Sequence, residues 1–201
     1  MTRSRWLTTA ATAALAIMIS AGPTAAGPLD LPGYPKAFTC SACHGFGGQS
    51  TSDAMPILAG MPPAYFKKAI GDYASGRRPS PEMSAYSKMV VQLGVDDVAA
   101  YFAAQPFKPT AIKVDPAAVG RGRTASASCV VCHGPDGRGD IGKMIPSLAG
   151  QPPGYLRNQM LLFKRDQRSP GDEALKAPKA LMRTIPDEQI ADLAAYYSSI
   201  R

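Results

Sequence analysis

Cys40-Ser41-Ala42-Cys43-His44-Gly45 and Cys129-Val130-Val131-Cys132-His133-Gly134 are the two stretches on which the reading of this chain turns. The second follows the first by 89 residues, and the likeness spreads outward from both. Pro56-Ile57-Leu58-Ala59-Gly60 recurs as Pro146-Ser147-Leu148-Ala149-Gly150, and Pro62-Pro63-Ala64-Tyr65 as Pro152-Pro153-Gly154-Tyr155, both 90 residues on. Arg78 and Arg168 keep that offset, and Ala99-Ala100-Tyr101-Phe102 recurs as Ala194-Ala195-Tyr196-Tyr197 after 95. A period near 90 residues exceeds that of solenoid repeats, roughly 20 to 50, so it marks a tandem domain duplication. The second copy is five residues longer, and the insertion falls between Arg168 and Tyr196.

Around the repeated motifs the periodicity is helical. The Pro-Pro pairs open helices from Ala64 to about Ser75 and from Gly154 to about Asp166. Tyr65, Ile70 and Tyr73 fall on one face of the first, and Tyr155, Met160 and Phe163 on one face of the second. Helices over Val95–Ala104 and Pro186–Ile200 close the copies, and Asp115 with Pro116 opens another that runs toward Cys129. No stretch alternates at period two, so the fold class is all-α. The expected organisation is a cleaved signal peptide at 1–26, a first domain at 27–107, a linker at 108–115 and a second domain at 116–201. The leader is read from Arg3 and Arg5, the apolar run Trp6–Ala21, and the small residues Thr24-Ala25-Ala26 before Gly27. That run is too short to span a bilayer, and no other is longer, so the mature chain has no transmembrane segment. Pro106, Pro109 and Pro116 make the connection an extended, semi-rigid spacer.

The chain of 201 residues has 45% hydrophobic but only 7% aromatic residues, with 19 Gly and 19 Pro. Two domains of that size and composition need a staple or a cofactor to complete their cores. The soft ligands amount to four Cys and two His, and the two Cys-x-x-Cys-His motifs consume them all. That motif is the haem c attachment signature. Two thiols one helical turn apart can add to the two vinyl groups of one haem edge, and the adjacent His places a ring nitrogen on the iron. A zinc site would have no obvious fourth ligand. A thioredoxin-like site needs a βαβ context that is absent, and an oxidised disulfide at each Cys-x-x-Cys is the remaining alternative. The sequence therefore predicts two covalently bound haem c groups, attached through Cys40, Cys43, Cys129 and Cys132, with His44 and His133 on the irons.

The ordered set of Cys-x-x-Cys-His-Gly, Pro-x-Leu-Ala-Gly, a Tyr-led helix, an Arg, a Met and a closing Ala-Ala-Tyr helix resembles class I c-type cytochromes. Its tandem arrangement is similar to the two-haem cytochrome c4 family, and the resemblance spans essentially the whole chain after the expected leader. It implies two small helical cytochrome folds whose haem propionate edges approach across their interface, and a protein that carries electrons. It also implies that the carbonyls of Pro56 and Pro146 orient His44 and His133, although each proline also reads as a plain helix-entry turn.

With both His consumed, the sixth iron ligand is Met, Lys, another nitrogen or oxygen donor, or nothing, unless a second chain supplies a His. Met83 stands 18 residues before Tyr101, the family's spacing from ligand Met to closing Tyr; Met55, Met61 and Met89 compete with it. In the second copy that position is Pro178, which has no ligating side chain. Met182, four residues on, is the expected ligand if the longer loop folds back, with Lys176, Lys179 or an open site as alternatives. Met144 and Met160 are expected to pack beside the haem.

From Gly27 to Phe107 six Lys/Arg balance six Asp/Glu, whereas from Lys108 onward fourteen face nine. A basic second domain steers acidic partners, or is simply a solvated surface. The functional expectation is a periplasmic dihaem cytochrome, peripheral to the membrane at most. It passes electrons from a membrane-bound donor complex to a terminal oxidase or reductase and makes no substrate bonds itself. The alternatives are a cytochrome subunit of a dehydrogenase or oxidase complex, or a second haem that binds or transforms a small molecule. No flavin or nicotinamide fingerprint is present, and nucleic acid is not an expected partner.

Overall fold

A computed structural model of the protein describes residues 27–168 and 176–201. The expected leader at 1–26 and residues 169–175 of the inserted loop lie outside the described residues. In chain order the helices are α1 (Tyr34–Ala37), α2 (Ser41–His44), α3 (Pro63–Ala74), α4 (Pro81–Leu93) and α5 (Val95–Ala103). The second copy continues with α6 (Pro116–Ala125), α7 (Val130–His133), α8 (Pro153–Lys164), α9 (Lys176–Thr184) and α10 (Asp187–Ser199). No strand occurs among the described residues, only one isolated bridge between Asp140 and Ile145. The all-α expectation holds.

Local chemistry explains the helix starts. Pro62 and Pro152, extended at ψ 133° and 137°, precede Pro63 and Pro153 at the first helical position, where a missing N–H costs nothing. Asp115 caps α6 by accepting from the Ala117 amide at 3.0 Å. Two helices, α4 and α9, were not anticipated. Ser80-Pro81-Glu82 is a helix-start signal, and the Ser80 hydroxyl does accept from the Met83 amide at 3.2 Å. Met83 lies in the first turn of α4, and its sequence counterpart Pro178 lies within α9.

Each half closes by crossing an early helix over its last one. Gly122 of α6 lies so close to α10 that a β-carbon there would stand 2.0 Å from the Asp192 carbonyl oxygen. Gly33, just before α1, meets Asp97 of α5 at 2.2 Å in the same sense. Flanking ion pairs repeat as well: Lys36 with Asp97, and Arg121 with Asp192 through two bonds of 2.8 Å. Below these crossings sit two separate cores. Val98, Ala99, Tyr101 and Phe102 with Phe66 and Ile70 form one; Ile190, Leu193, Ala194 and Tyr197 with Leu156 and Leu161 form the other. Fully burying a side chain such as Leu193 or Phe102 contributes about 1.5–3 kcal/mol, so each core rests on a handful of residues.

The connection departs from the expected spacer. It is extended but tied down on both sides. Gln49 of the first half binds both polar backbone groups of Lys108, at 2.7 and 3.0 Å, and the Thr110 amide donates to the Gly150 carbonyl of the second half at 2.8 Å. Thr110 is buried and Phe107 reaches into the second half's cavity, so the segment is part of the interface. Proline content alone cannot reveal such anchoring, because its partners are remote in sequence.

Candidate haem sites

The short helices α2 and α7 present the Cys-x-x-Cys-His groups, and Gly45 and Gly134, at φ +74° and +73°, end them directly after the histidines. His44 is buried, and its Nδ1 lies 2.9 Å from the Pro56 carbonyl oxygen. His133 repeats this with Pro146 at 3.2 Å. A carbonyl can only accept, so Nδ1 carries the proton in both rings and Nε2 keeps its lone pair for a metal. Burial pushes both imidazoles below the ordinary histidine pKa, against the opposing pull of the proline carbonyls. Neutral imidazole is the ligating form. Cys43 is exposed and Cys40, Cys129 and Cys132 are half-buried; none forms a disulfide. Burial raises the Cys40 thiol pKa. Among the described residues no three Cys, His, Asp or Glu side chains gather as a metal-ion site.

In the second half these groups open onto a cavity of about 410 Å³. One wall carries Cys129, Cys132 and His133; Leu181, Met182 and Lys179 of α9 are also in the lining. Tyr155, Met160 and Phe163 line it too, which explains why the predicted inner face of α8 is only half-buried. Met144, held at φ +55°, contributes another thioether. Met61 and Tyr65 of the first half also border the space, so the cavity abuts the interface between copies. Met182 lies one helical turn beyond Pro178, which keeps it on the same face of α9. The position equivalent to Met182 on α4 is Ser87, fully buried. The first half thus carries Met then Ser along that face, and the second Pro then Met. The Pro178 side chain lies outside the described residues. Lys179 is committed to an ion pair with Asp166, which also accepts from Arg183 at 2.8 Å. Lys176 is exposed at the start of α9. In the first half Met83 and Cys40 pack against the same core cluster.

Between the halves lies a feature that the sequence marked only as repeated letters. Arg78 donates to the Tyr155 hydroxyl at 3.0 Å, and Arg168 donates to the Tyr65 hydroxyl at 3.0 Å, each crossing to the other copy. Each guanidinium also stacks on its own copy's ring: Arg78 on Tyr73 at 4.4 Å, Arg168 on Phe163 at 4.6 Å. Gln159, aligned with Ala69, breaks this pseudo-symmetry. Its Oε1 accepts from Arg78 Nε and Nη2, at 3.0 and 2.8 Å, and from Arg168 Nη1 at 2.6 Å. Burial raises the Tyr73 hydroxyl pKa to about 12, while the two arginines outweigh burial at Tyr65 and lower it. Among the described residues the buried Arg168 Nε has no hydrogen-bond partner, although Arg168 lines the cavity. A buried cationic N–H left unmatched fits a carboxylate-bearing cofactor such as haem, whose propionates would take it. The apolar walls, thioethers, paired thiols and free Nε2 fit the rest of that group.

Gln151, Asp53 and Gln159 escaped the sequence reading. Each acts on a partner about 80 to 100 residues away, and none belongs to a motif. A repeat alignment offers a faint signal, since Gln151 and Gln159 replace Met61 and Ala69 at otherwise matched positions.

Comparison with known proteins places these features in context. Residues 119–201 match the family model for cytochrome c. A cytochrome c4 from Pseudomonas aeruginosa is 30% identical, covering 84% of this chain and 87% of the relative. A thiosulfate dehydrogenase electron acceptor from Thiomonas intermedia is 33% identical over 75% of this chain and 71% of its own. The crystal structure of reduced recombinant cytochrome c4 from Pseudomonas stutzeri is similar at a TM-score of 0.73 and 27% identity, covering 84% of this chain and 97% of that one.

Proposed function

The chain belongs to the cytochrome c4 family, electron-transfer proteins with two covalently bound haem c groups, and from that premise we propose that it is an exported carrier working between two redox partners. When bound, each haem supplies a one-electron Fe(III)/Fe(II) couple. The observation that carries the reading is the repeated thiol–thiol–imidazole arrangement, with each imidazole anchored by its Nδ1–H to a proline carbonyl. Cys40 and Cys43 would hold the first haem and Cys129 and Cys132 the second. His44 and His133 would ligate the irons, oriented by Pro56 and Pro146. Met83 is assigned as the other axial ligand of the first haem. Met182 is assigned to the second, supported by its place in the cavity lining one turn beyond Pro178. Lys179 is already engaged by the Asp166 carboxylate, which favours the thioether over it as the ligand. Thioether ligation would favour Fe(II) and raise the potential, and the apolar lining residues would keep water from a bound iron. Arg78 and Arg168 would neutralise propionates at the interface, lowering the cost of bringing two cofactors close together.

The residue ranges expected for the leader, the two domains and the connection belong to the same proposal. Among the described residues no helix is long and apolar enough to cross a membrane. A membrane-bound donor complex and a terminal oxidase or reductase are the proposed partners. The second half's positive balance favours an acidic partner there. The Thiomonas relative supports a second reading, in which the chain accepts electrons from a dehydrogenase acting on a sulfur compound. Stoichiometric co-purification with such an enzyme separates that reading from a free carrier.

The deciding experiment is optical. In the ferric protein the near-red thioether–iron band is quantified against total haem, and carbon monoxide is added to the reduced form. Two thioether-ligated haems that resist carbon monoxide are expected. One such haem, with rapid carbon monoxide binding at the other, would remove Met182 from the ligand set and favour small-molecule chemistry at the second site.

A further inference from the structure

Gln151 belongs to the second half but spends its side chain on the first. Its Oε1 accepts from the Ile57 amide at 2.9 Å, and its Nε2 donates to the Ile57 carbonyl at 2.9 Å. The paired bonds make the carboxamide behave like a short stretch of strand across one residue. Gln151 is 8% exposed and Ile57 is fully buried, so water does not compete for either bond. Ile57 directly follows Pro56, whose carbonyl holds the His44 Nδ1–H at 2.9 Å. The equivalent position in the first half is Met61, a side chain of similar length with no hydrogen-bonding amide. The clamp therefore runs one way, and the corresponding bond at His133 is longer, at 3.2 Å.

Asp53 fastens the same seam three residues ahead of Pro56. Its carboxylate accepts from the Gly154 amide and its carbonyl from the Tyr155 amide, both at 2.8 Å, at the start of α8. The Asp53–Ile57 loop is thus gripped at both ends by the second half. Loops held by single backbone contacts explore several conformations, whereas a loop with both ends bonded does not.

We propose that Gln151 is a positioning residue for the first haem's axial imidazole, so that the second half sets the donor strength of His44. The inference rests on the assignment of His44 as an iron ligand. A firm Nδ1–H···O=C bond increases imidazole basicity and stabilises Fe(III). Releasing the Pro56-Ile57 peptide weakens that bond and raises the first haem's reduction potential. The second haem has no counterpart to lose.

The test is Gln151→Met in the full two-haem protein, with Gln151→Glu as companion. Pyridine haemochrome counts the haems, redox titration gives both potentials, and hyperfine-shifted imidazole resonances assign them. The expected result is an upward shift of the first haem's potential with displaced His44 ring signals, and no movement of the second. Gln151→Glu, which keeps an acceptor for the Ile57 amide and adds a negative charge that lowers the potential, is expected to shift it less. An unmoved first potential, or equal movement of both, would overturn the proposal. Hydrogen exchange of the unsubstituted protein gives a measurement that needs no variant. The Ile57 amide is expected to be strongly protected, and exchange as fast as that of exposed loop amides would also overturn the clamp. Haem absent from Cys40 and Cys43 in the count would instead remove the ligand assignment, since the amide protection does not depend on it.

Discussion

Replacing Gln159 with leucine tests how the two halves are held together. One oxygen, Gln159 Oε1, accepts three hydrogen bonds of 2.6 to 3.0 Å from two guanidiniums. Arg78 and Arg168 are 2% and 7% exposed, so no solvent replaces what is lost. A hydrogen bond to a charged group contributes about 1.5–3 kcal/mol, and three taken at face value would exceed what one residue delivers. Two terms reduce that figure: each arginine keeps its tyrosine hydroxyl and its stacked ring, and leucine recovers some apolar burial. Leaving a buried donor without its acceptor costs about 1–3 kcal/mol, more when it is charged, so about 2–3 kcal/mol applies here. For a protein of this length 1 kcal/mol shifts Tm by about 2–4 °C, so Gln159→Leu is expected to lower Tm by about 4–12 °C. Calorimetry of the holoprotein reads this directly, and Gln159→Glu serves as the control. That variant keeps an acceptor and adds a negative charge between the guanidiniums, so it is expected to retain stability while lowering both reduction potentials. A loss within about 0.5 kcal/mol, the range of an ordinary surface substitution, would refute the view that this oxygen couples the halves.

Met83→Ala and Met182→Ala are each expected to remove half of the near-red thioether–iron band, and the double substitution all of it; optical titration against haem content checks this. Gly122→Ala sets a β-carbon 2.0 Å from the Asp192 carbonyl oxygen, so α6 and α10 must separate. The expected cost is about 1–3 kcal/mol in denaturant unfolding. The Arg121 guanidinium holds the Asp192 carboxyl below the ordinary aspartate range. A depressed carboxyl contributes stability above its unfolded pKa and loses it as the pH falls through the folded value. Tm measured from neutral to acidic pH should therefore fall less steeply in Asp192→Asn than in the parent protein, and parallel curves would count against the pair.

The helices that carry the haem-binding groups were legible because their signals are local. Pro62-Pro63 and Pro152-Pro153 start helices wherever they stand, and the thiol spacing of Cys40–Cys43 and Cys129–Cys132 is set by one helical turn. α4 and α9 were missed for different reasons. Ser80-Pro81-Glu82 is an ordinary start signal that went unread beside the prolines. Lys176-Ala177-Pro178 carries no cap signal, and α9 is held in place by Lys179 and Arg183 on Asp166. The connection was read only as an extended, semi-rigid spacer because Gln49, Thr110 and Gly150 are neighbours only after folding.

By itself the sequence determined the duplication, the all-α class and the covalent haem chemistry, and it singled out the two histidines the chain has. Each follows from residue types at short fixed spacing, where covalent geometry and helical pitch leave few alternatives. Tertiary structure alone decided how the copies face each other. The exchange of Arg78 and Arg168 across Tyr155 and Tyr65, the bond from Arg78 to Gln159, and the reach of Gln151 to Ile57 all join residues 77 to 103 positions apart. Such contacts form only where two independently built surfaces meet, and hydrogen-bond geometry over a few ångströms leaves no periodic trace along the chain.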